Sequence, residues 1–189
     1  MNRNIYYILV LFLSLSCKRN RPQTTFKKEA VVEIPVESTR ESGEARKSKV
    51  TKNKILDAKI IKIIDGDTAE ILYDELPIKL RLAHIDTPEK RGKQPYGNRA
   101  KIALSDLCFG QMVKIHTEGK YDGFGRLIAV IYNNQGLNVN KEMVRLGMAW
   151  HYKKHSDDHS YDVLEKEARS LRVGLWQDNN PIAPWNYRK

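Results

Sequence analysis

Apolar residues fall in short runs along most of this chain, and the spacing within each run predicts an element. Ile60, Ile61, Ile63 and Ile64 flank Lys62, Asp65-Gly66-Asp67 interrupts them, and Thr68 to Leu72 resumes the pattern. Strand, turn or bulge, and strand are expected. After Pro77, Ile78, Leu80 and Leu82 alternate with Lys79, Arg81 and Ala83, a third strand that stops at Asp86-Thr87-Pro88. Residues 90–97 read as a polar loop. Asn98 is placed to cap a helix to about Leu107, with Ala100, Ala103, Leu104 and Leu107 on one face and Gly110 ending it. Met112–Thr117 and Arg126–Tyr132 form two more strands, and Asn133 to Gly136 a hairpin turn. Asn138 is placed to cap a short helix through Leu146, ended by Gly147. A last helix runs from about Asp162 to Arg172, with Leu164, Ala168 and Leu171 facing inward. The fold class expected is α+β: a five-stranded barrel of the oligonucleotide/oligosaccharide-binding type (OB-fold) with three helices.

The N-terminal part follows another pattern. Ile5 to Leu13 are continuously apolar after Arg3. That run is far short of the ~20 residues a spanning helix needs and suits the apolar region of a signal peptide. Ser14-Leu15-Ser16-Cys17 follows, which looks like a bacterial lipoprotein signal over residues 1–17, with Cys17 lipidated; ordinary secretion shares most of the pattern. Residues 18–53 are Lys, Arg, Glu, Ser and Thr with little apolar content, and read as a disordered basic linker. An exported protein, lipid-anchored in the cell envelope or secreted, is expected. The folded domain is expected over residues 54–178, with a C-terminal tail at 179–189.

Charge and cysteine count change the picture little. Of the net charge of +10 over 189 residues, +6 lies in residues 1–53, so bulk basicity is a weak pointer to nucleic acid. Two cysteines, Cys17 and Cys108, exclude a disulfide framework and a Cys-rich zinc site. Cys108 reads as a small apolar filler, and His84 as a partly buried strand residue. His151, His155 and His159 are spaced by four among acidic residues, but the stretch reads as a loop and not as a zinc-binding helix.

Chemistry concentrates in two acidic runs at strand ends, Asp65-Gly66-Asp67-Thr68 and Asp86-Thr87-Pro88-Glu89, with Arg81 between them and Arg126 in a later Gly-rich turn. A phosphodiester resists hydroxide because it is anionic. A hard divalent cation on oxygen ligands relieves that repulsion, and Asp67 and Asp86 are the natural ligands. Paired Asp carboxylates favour calcium over zinc. Arg81 and Arg126 can each offer parallel donors to phosphate oxygens. Glu89 is left to orient or deprotonate water.

Asp65-Gly66-Asp67-Thr68, then Leu80-Arg81-Leu82 running into Ile85 to Glu89, then Gly125-Arg126 closely resemble the staphylococcal nuclease (thermonuclease) family, in the same order over roughly residues 55–178. The resemblance implies an OB-type barrel with three helices. It also implies calcium-dependent, sugar-nonspecific endonuclease cleavage of DNA and RNA to 3′-phosphate ends. By it, Asp67, Asp86 and the main-chain carbonyl of Thr87 bind calcium, with Asp65 supporting the ion from behind them. Arg81 and Arg126 bind phosphate, and Glu89 acts on the water. A base-stacking aromatic is assigned to Tyr152, with Trp150 as second choice. Gly123-Phe124 departs from the Lys-Tyr of the family's best-known member, so a phosphate-binding ammonium and a tyrosine hydroxyl are missing, whereas the reacting phosphate keeps its partners. A non-catalytic nucleic-acid-binding module of the same fold is the rival reading, and a calcium-binding structural lipoprotein a third. Plasmid digestion with and without calcium separates the first two; the last predicts no salt-sensitive DNA affinity, whereas either nucleic-acid reading predicts affinity that falls with salt. Monomer is the default state.

Overall fold

A computed structural model describes residues 54–188. The expected signal peptide 1–17 with Cys17, and the linker 18–53, lie outside the described residues.

The chain order is β1 (Lys54–Ile63), β2 (Thr68–Tyr73), β3 (Leu76–Leu82), β4 (Ile85–Asp86), α1 (Gly97–Cys108), β5 (Met112–Thr117), β6 (Leu127–Tyr132), α2 (Val139–Arg145), β7 (Trp150–His151), α3 (His159–Ser170) and α4 (Pro184–Tyr187). Five strands close a barrel in the order β1-β2-β3-β6-β5, with β5 returning to β1. All neighbours are antiparallel except β3 and β6, which run parallel. β4 and β7 form a separate two-stranded ribbon. This is the expected α+β barrel of OB type with helices packed around it.

Alternation sets the interior. Leu56, Ala58 and Ile60 of β1, Leu80 and Leu82 of β3, Val113 and Ile115 of β5, and Leu127, Ala129 and Ile131 of β6 are buried. β1 holds a bulge between Ile60 and Lys62, so the inward side resumes at Ile63 and Ile61 is left only partly covered. The same core takes in Ala100, Leu104 and Cys108 of α1, Val139, Met143 and Val144 of α2, and Tyr161 of α3. Cys108 is the filler expected: burial pushes its thiol up to about 12. A smaller cluster joins Trp150, Ala168, Leu175, Trp176 and Ala183.

Several local expectations need correction. α1 starts at Gly97 after Tyr96, which adopts φ 70, and Asn98 is inside the helix and not its cap. Asn138 does cap α2, accepting from the Lys141 N–H. α3 begins at His159, capped by Asp158. Leu171 is 65% exposed, because the helix ends at Ser170 before Leu171 can turn inward. β3 begins at Leu76 and includes Pro77, which pairs with Leu72. It stops at Leu82, because His84 takes the left-handed conformation (φ 69) and turns the chain into β4, so His84 is a turn residue and not a strand one. Among the described residues no helix is long and apolar enough to cross a membrane.

Candidate active site

The antiparallel register of β2 and β3 sets Thr68 opposite Arg81, and the Leu82 N–H donates to the Asp67 carbonyl at 2.9 Å. Asp67 and Arg81 are therefore neighbours by strand pairing. The His84 turn then doubles the chain back, and β4 delivers Asp86 to the same place, held by its pairing with Trp150 of β7. The turn before β2 is tight: the Asp67 N–H donates to Asp65 Oδ1 at 3.2 Å, and the Ile64 N–H to the Thr68 carbonyl at 2.9 Å. Gly66 is required there, since a Cβ would stand 2.7 Å from Ala100 Cβ and 2.8 Å from Thr87 Oγ1.

One guanidinium ties the acidic groups together. Arg81 Nη2 lies 3.2 Å from Asp67 Oδ2 and 2.9 Å from Asp86 Oδ1, and its Nη1 donates to the Leu82 carbonyl. Thr87 donates to Asp67 Oδ2 through its N–H (3.1 Å) and its hydroxyl (2.9 Å). Thr68 donates its hydroxyl to Asp67 Oδ1 and accepts from Arg126 Nη1 at 2.9 Å, which links the second arginine to the same carboxylate. The parallel seam makes this link: Leu80 pairs with Leu127 and Arg81 with Ile128, so Arg126 enters beside Thr68. Asp122 fixes the Arg126 side chain, accepting from its Nε at 2.7 Å.

Glu89 follows Asp86 by three residues and is joined to it by a shared arginine. Its N–H donates to the side chain of buried Gln94 at 2.9 Å. Its carboxylate meets Arg188 Nη1 at 2.5 Å, and Arg188 also reaches both oxygens of Asp86, at 3.3 and 2.6 Å. Tyr152 has one ring face stacked on Trp185 at 5.4 Å and 11°. Trp150, the second choice for base stacking, is buried against Trp176 and Trp185. The histidine series does not gather a metal: His151 sits between Asp162 and Ser156, and His159 beside Asp162.

The acidic groups differ in acidity. Burial works against an ionised Asp67, but Arg81 and hydrogen bonds from Asp65, Thr87 and Thr68 outweigh it and hold the pKa below the usual carboxylate value. Asp65 goes the other way, pushed up to about 6 by burial and the adjacent Asp67 charge. Asp86 is raised by burial, with Arg188 pulling against that rise.

Among the described residues no three His, Cys, Asp or Glu side chains already form a ligand group for a metal ion. The donors still fit a hard divalent cation. Asp67 and Asp86 offer carboxylate oxygens that share one arginine, and Asp86 is fully buried, so its charge requires a cation beside it. Arg81 and Arg188 supply that positive charge here.

Sequence reasoning had no hold on Asp122, Gln94 or Arg188. Asp122 left a faint signal, an acid opening the Gly-rich turn of Arg126. Gln94 and Arg188 left none, since their partners are distant in the chain.

Known proteins resemble this chain over the same region. The model of the family described as staphylococcal nuclease homologue matches residues 79–178. An uncharacterised endonuclease of Haemophilus influenzae is 44% identical over 132 residues, covering 69% of this chain and 72% of that protein. The micrococcal nuclease of Shigella flexneri is 41% identical over 141 residues, covering 69% and 79%. An uncharacterised endonuclease of Escherichia coli is 38% identical over 130 residues, covering 69% and 83%.

Proposed function

The chain belongs to the staphylococcal nuclease family, and on that premise we propose that it is a calcium-dependent, sugar-nonspecific endonuclease hydrolysing DNA and RNA to 3′-phosphate ends. The observation that carries this reading is the double reach of Arg81 Nη2 to Asp67 and Asp86, with Arg126 joined to the same carboxylate through Thr68.

Asp67, Asp86 and the Thr87 carbonyl would hold calcium, with Asp65 behind Asp67. Bound there, the ion neutralises the phosphate and lends positive charge to the developing transition state. Arg81 and Arg126 orient the reacting phosphate and stabilise the charge that grows on its equatorial oxygens. Because Asp122 and Thr68 already fix Arg126, little conformational freedom is lost when it meets substrate. Glu89 takes or directs the proton of the attacking water, from a loop whose backbone is anchored by Gln94. Tyr152 and Trp185 offer a stacked aromatic surface, which favours sequence-tolerant contact with bases.

The test is digestion of plasmid DNA and of RNA across a calcium titration and then in excess chelator. Cleavage should require calcium and stop with chelator. Glu89→Gln and Arg126→Ala should each lower kcat by about 100-fold or more. Cleavage undiminished in chelator would defeat the metal-assisted mechanism.

The same reading places the enzyme outside the cytoplasm, exported by residues 1–17 and tethered through a lipid on Cys17 or released. Cys17→Ser should abolish radiolabelling by palmitate and move the protein out of the membrane fraction. It is read as acting as a monomer.

A further inference from the structure

The segment after α3 ends inside the site. Ile182 offers its carbonyl to Gln94 Nε2 at 2.7 Å, Trp185 stacks on Tyr152, and the Tyr187 hydroxyl donates to the Gly92 carbonyl at 2.7 Å. Arg188 then turns inward. It takes Asp86 Oδ2 at 2.6 Å, approaches Asp86 Oδ1 at 3.3 Å, and meets Glu89 Oε1 at 2.5 Å. One tethered guanidinium thus engages a proposed cation ligand and the proposed base together.

The two arginines on Asp86 differ in a way that decides which one can leave. Arg81 has 13% of its side chain exposed and also bonds Asp67 and the Leu82 carbonyl, so it is part of the barrel. Arg188 has 41% exposed and follows the four-residue helix α4 as its C-terminal cap residue. Water can solvate Arg188 once displaced, but Asp86 stays buried, so the incoming cation must take over the charge that Arg188 gives up. While seated, Arg188 occupies Asp86 Oδ2 and Glu89 Oε1. A cation using Asp86 and a water using Glu89 must first displace it.

We propose that Arg188 is an intramolecular latch that competes with the divalent cation for Asp86 and Glu89, so that the C-terminal segment sets the cation concentration at which the site becomes competent. The inference rests on the nuclease reading above and adds regulation of that site. It predicts that apparent cation affinity is reduced by the fraction of time the latch is closed.

The experiment is calorimetric titration of the full chain with calcium and no nucleic acid, for wild type, Arg188→Ala, Arg188→Gln and Arg188→Lys, with circular dichroism to check folding. Arg188→Ala and Arg188→Gln should bind calcium about tenfold more tightly than wild type, as expected for a latch closed about nine-tenths of the time. Arg188→Lys should fall between, because an ammonium lacks the two-pronged grip. Equal or weaker binding by the Ala and Gln variants overturns the latch while leaving the nuclease reading intact. Weaker binding would instead make Arg188 a supporting member of the cation site. Absence of calcium binding in every variant overturns the latch together with the calcium-dependent reading.

Discussion

Arg126 reaches the site only as well as Asp122 holds it. The Asp122 carboxylate accepts from the Arg126 Nε, from the Arg126 N–H and from the Phe124 N–H, closing the turn and aiming the guanidinium at once. Asp122→Ala frees that side chain without touching the phosphate position. The expected result is a kcat lower by about 10- to 100-fold with fold and stability nearly intact, read from steady-state kinetics beside a thermal melt. Legibility at this scale followed local chemistry. Asp67, Asp86, Arg81, Arg126 and Glu89 stood out because acids at strand ends and lone arginines call for a reason. Asp122, Gln94 and Arg188 did not, because their partners are set by tertiary contact. Asp122 is the intermediate case, four residues from its partner.

At the scale of elements, the joints carry the weight. Asn140 of α2 is fully buried. It donates to the carbonyls of Ala83 and Ala129 at 3.0 and 3.1 Å and accepts from the Ile131 N–H at 3.0 Å. It bolts the helix to β6 and to the chain just after β3. Asn140→Ala leaves buried backbone groups unpaired and should cost about 2–4 kcal/mol in urea unfolding. α3 is fastened electrostatically: Lys153, His151 and His159 hold the Asp162 carboxyl well below the usual carboxylate range. A depressed carboxylate contributes stability above its unfolded pKa of ~3.9 and loses it as pH falls through the lower folded value. Asp162→Asn should therefore flatten the acid limb of a stability–pH profile below about pH 4 and leave its shape near neutrality unchanged. Strand periodicity made all five barrel strands legible. The first helix was misplaced at its start, because Tyr96 enters it in a left-handed conformation with no side-chain cap, so Asn98 was a false signal. The two-residue strands β4 and β7 were invisible for lack of length, although they deliver Asp86.

For the whole molecule, the approach of two glycines governs how the C-terminal segment reaches the site. Gly147 and Gly174 both adopt positive φ, at 64 and 56. A Cβ on Gly174 would lie 2.2 Å from the Gly147 carbonyl oxygen, while one on Gly147 would lie 2.2 Å from that of Val173. No side chain fits, and the Leu175 N–H donates across the contact to Gly147 at 2.8 Å. Gly174→Ala should lower stability by about 2–4 kcal/mol in chemical denaturation and loosen the segment bearing Trp185 and Arg188, seen as weaker amide protection in hydrogen exchange. The barrel could be expected from patterning alone. The course of residues 179–188 could not, because it depends on a close backbone contact that no periodicity records.

Two strands that run side by side in the same direction cannot be joined by a hairpin, so α1 and β5 must be made between Arg81 and Arg126. A ribosome that has released only the first three strands has produced one arginine and no neighbour for it. The two arginines are therefore brought together only late in synthesis, after β6 has emerged and slotted beside β3.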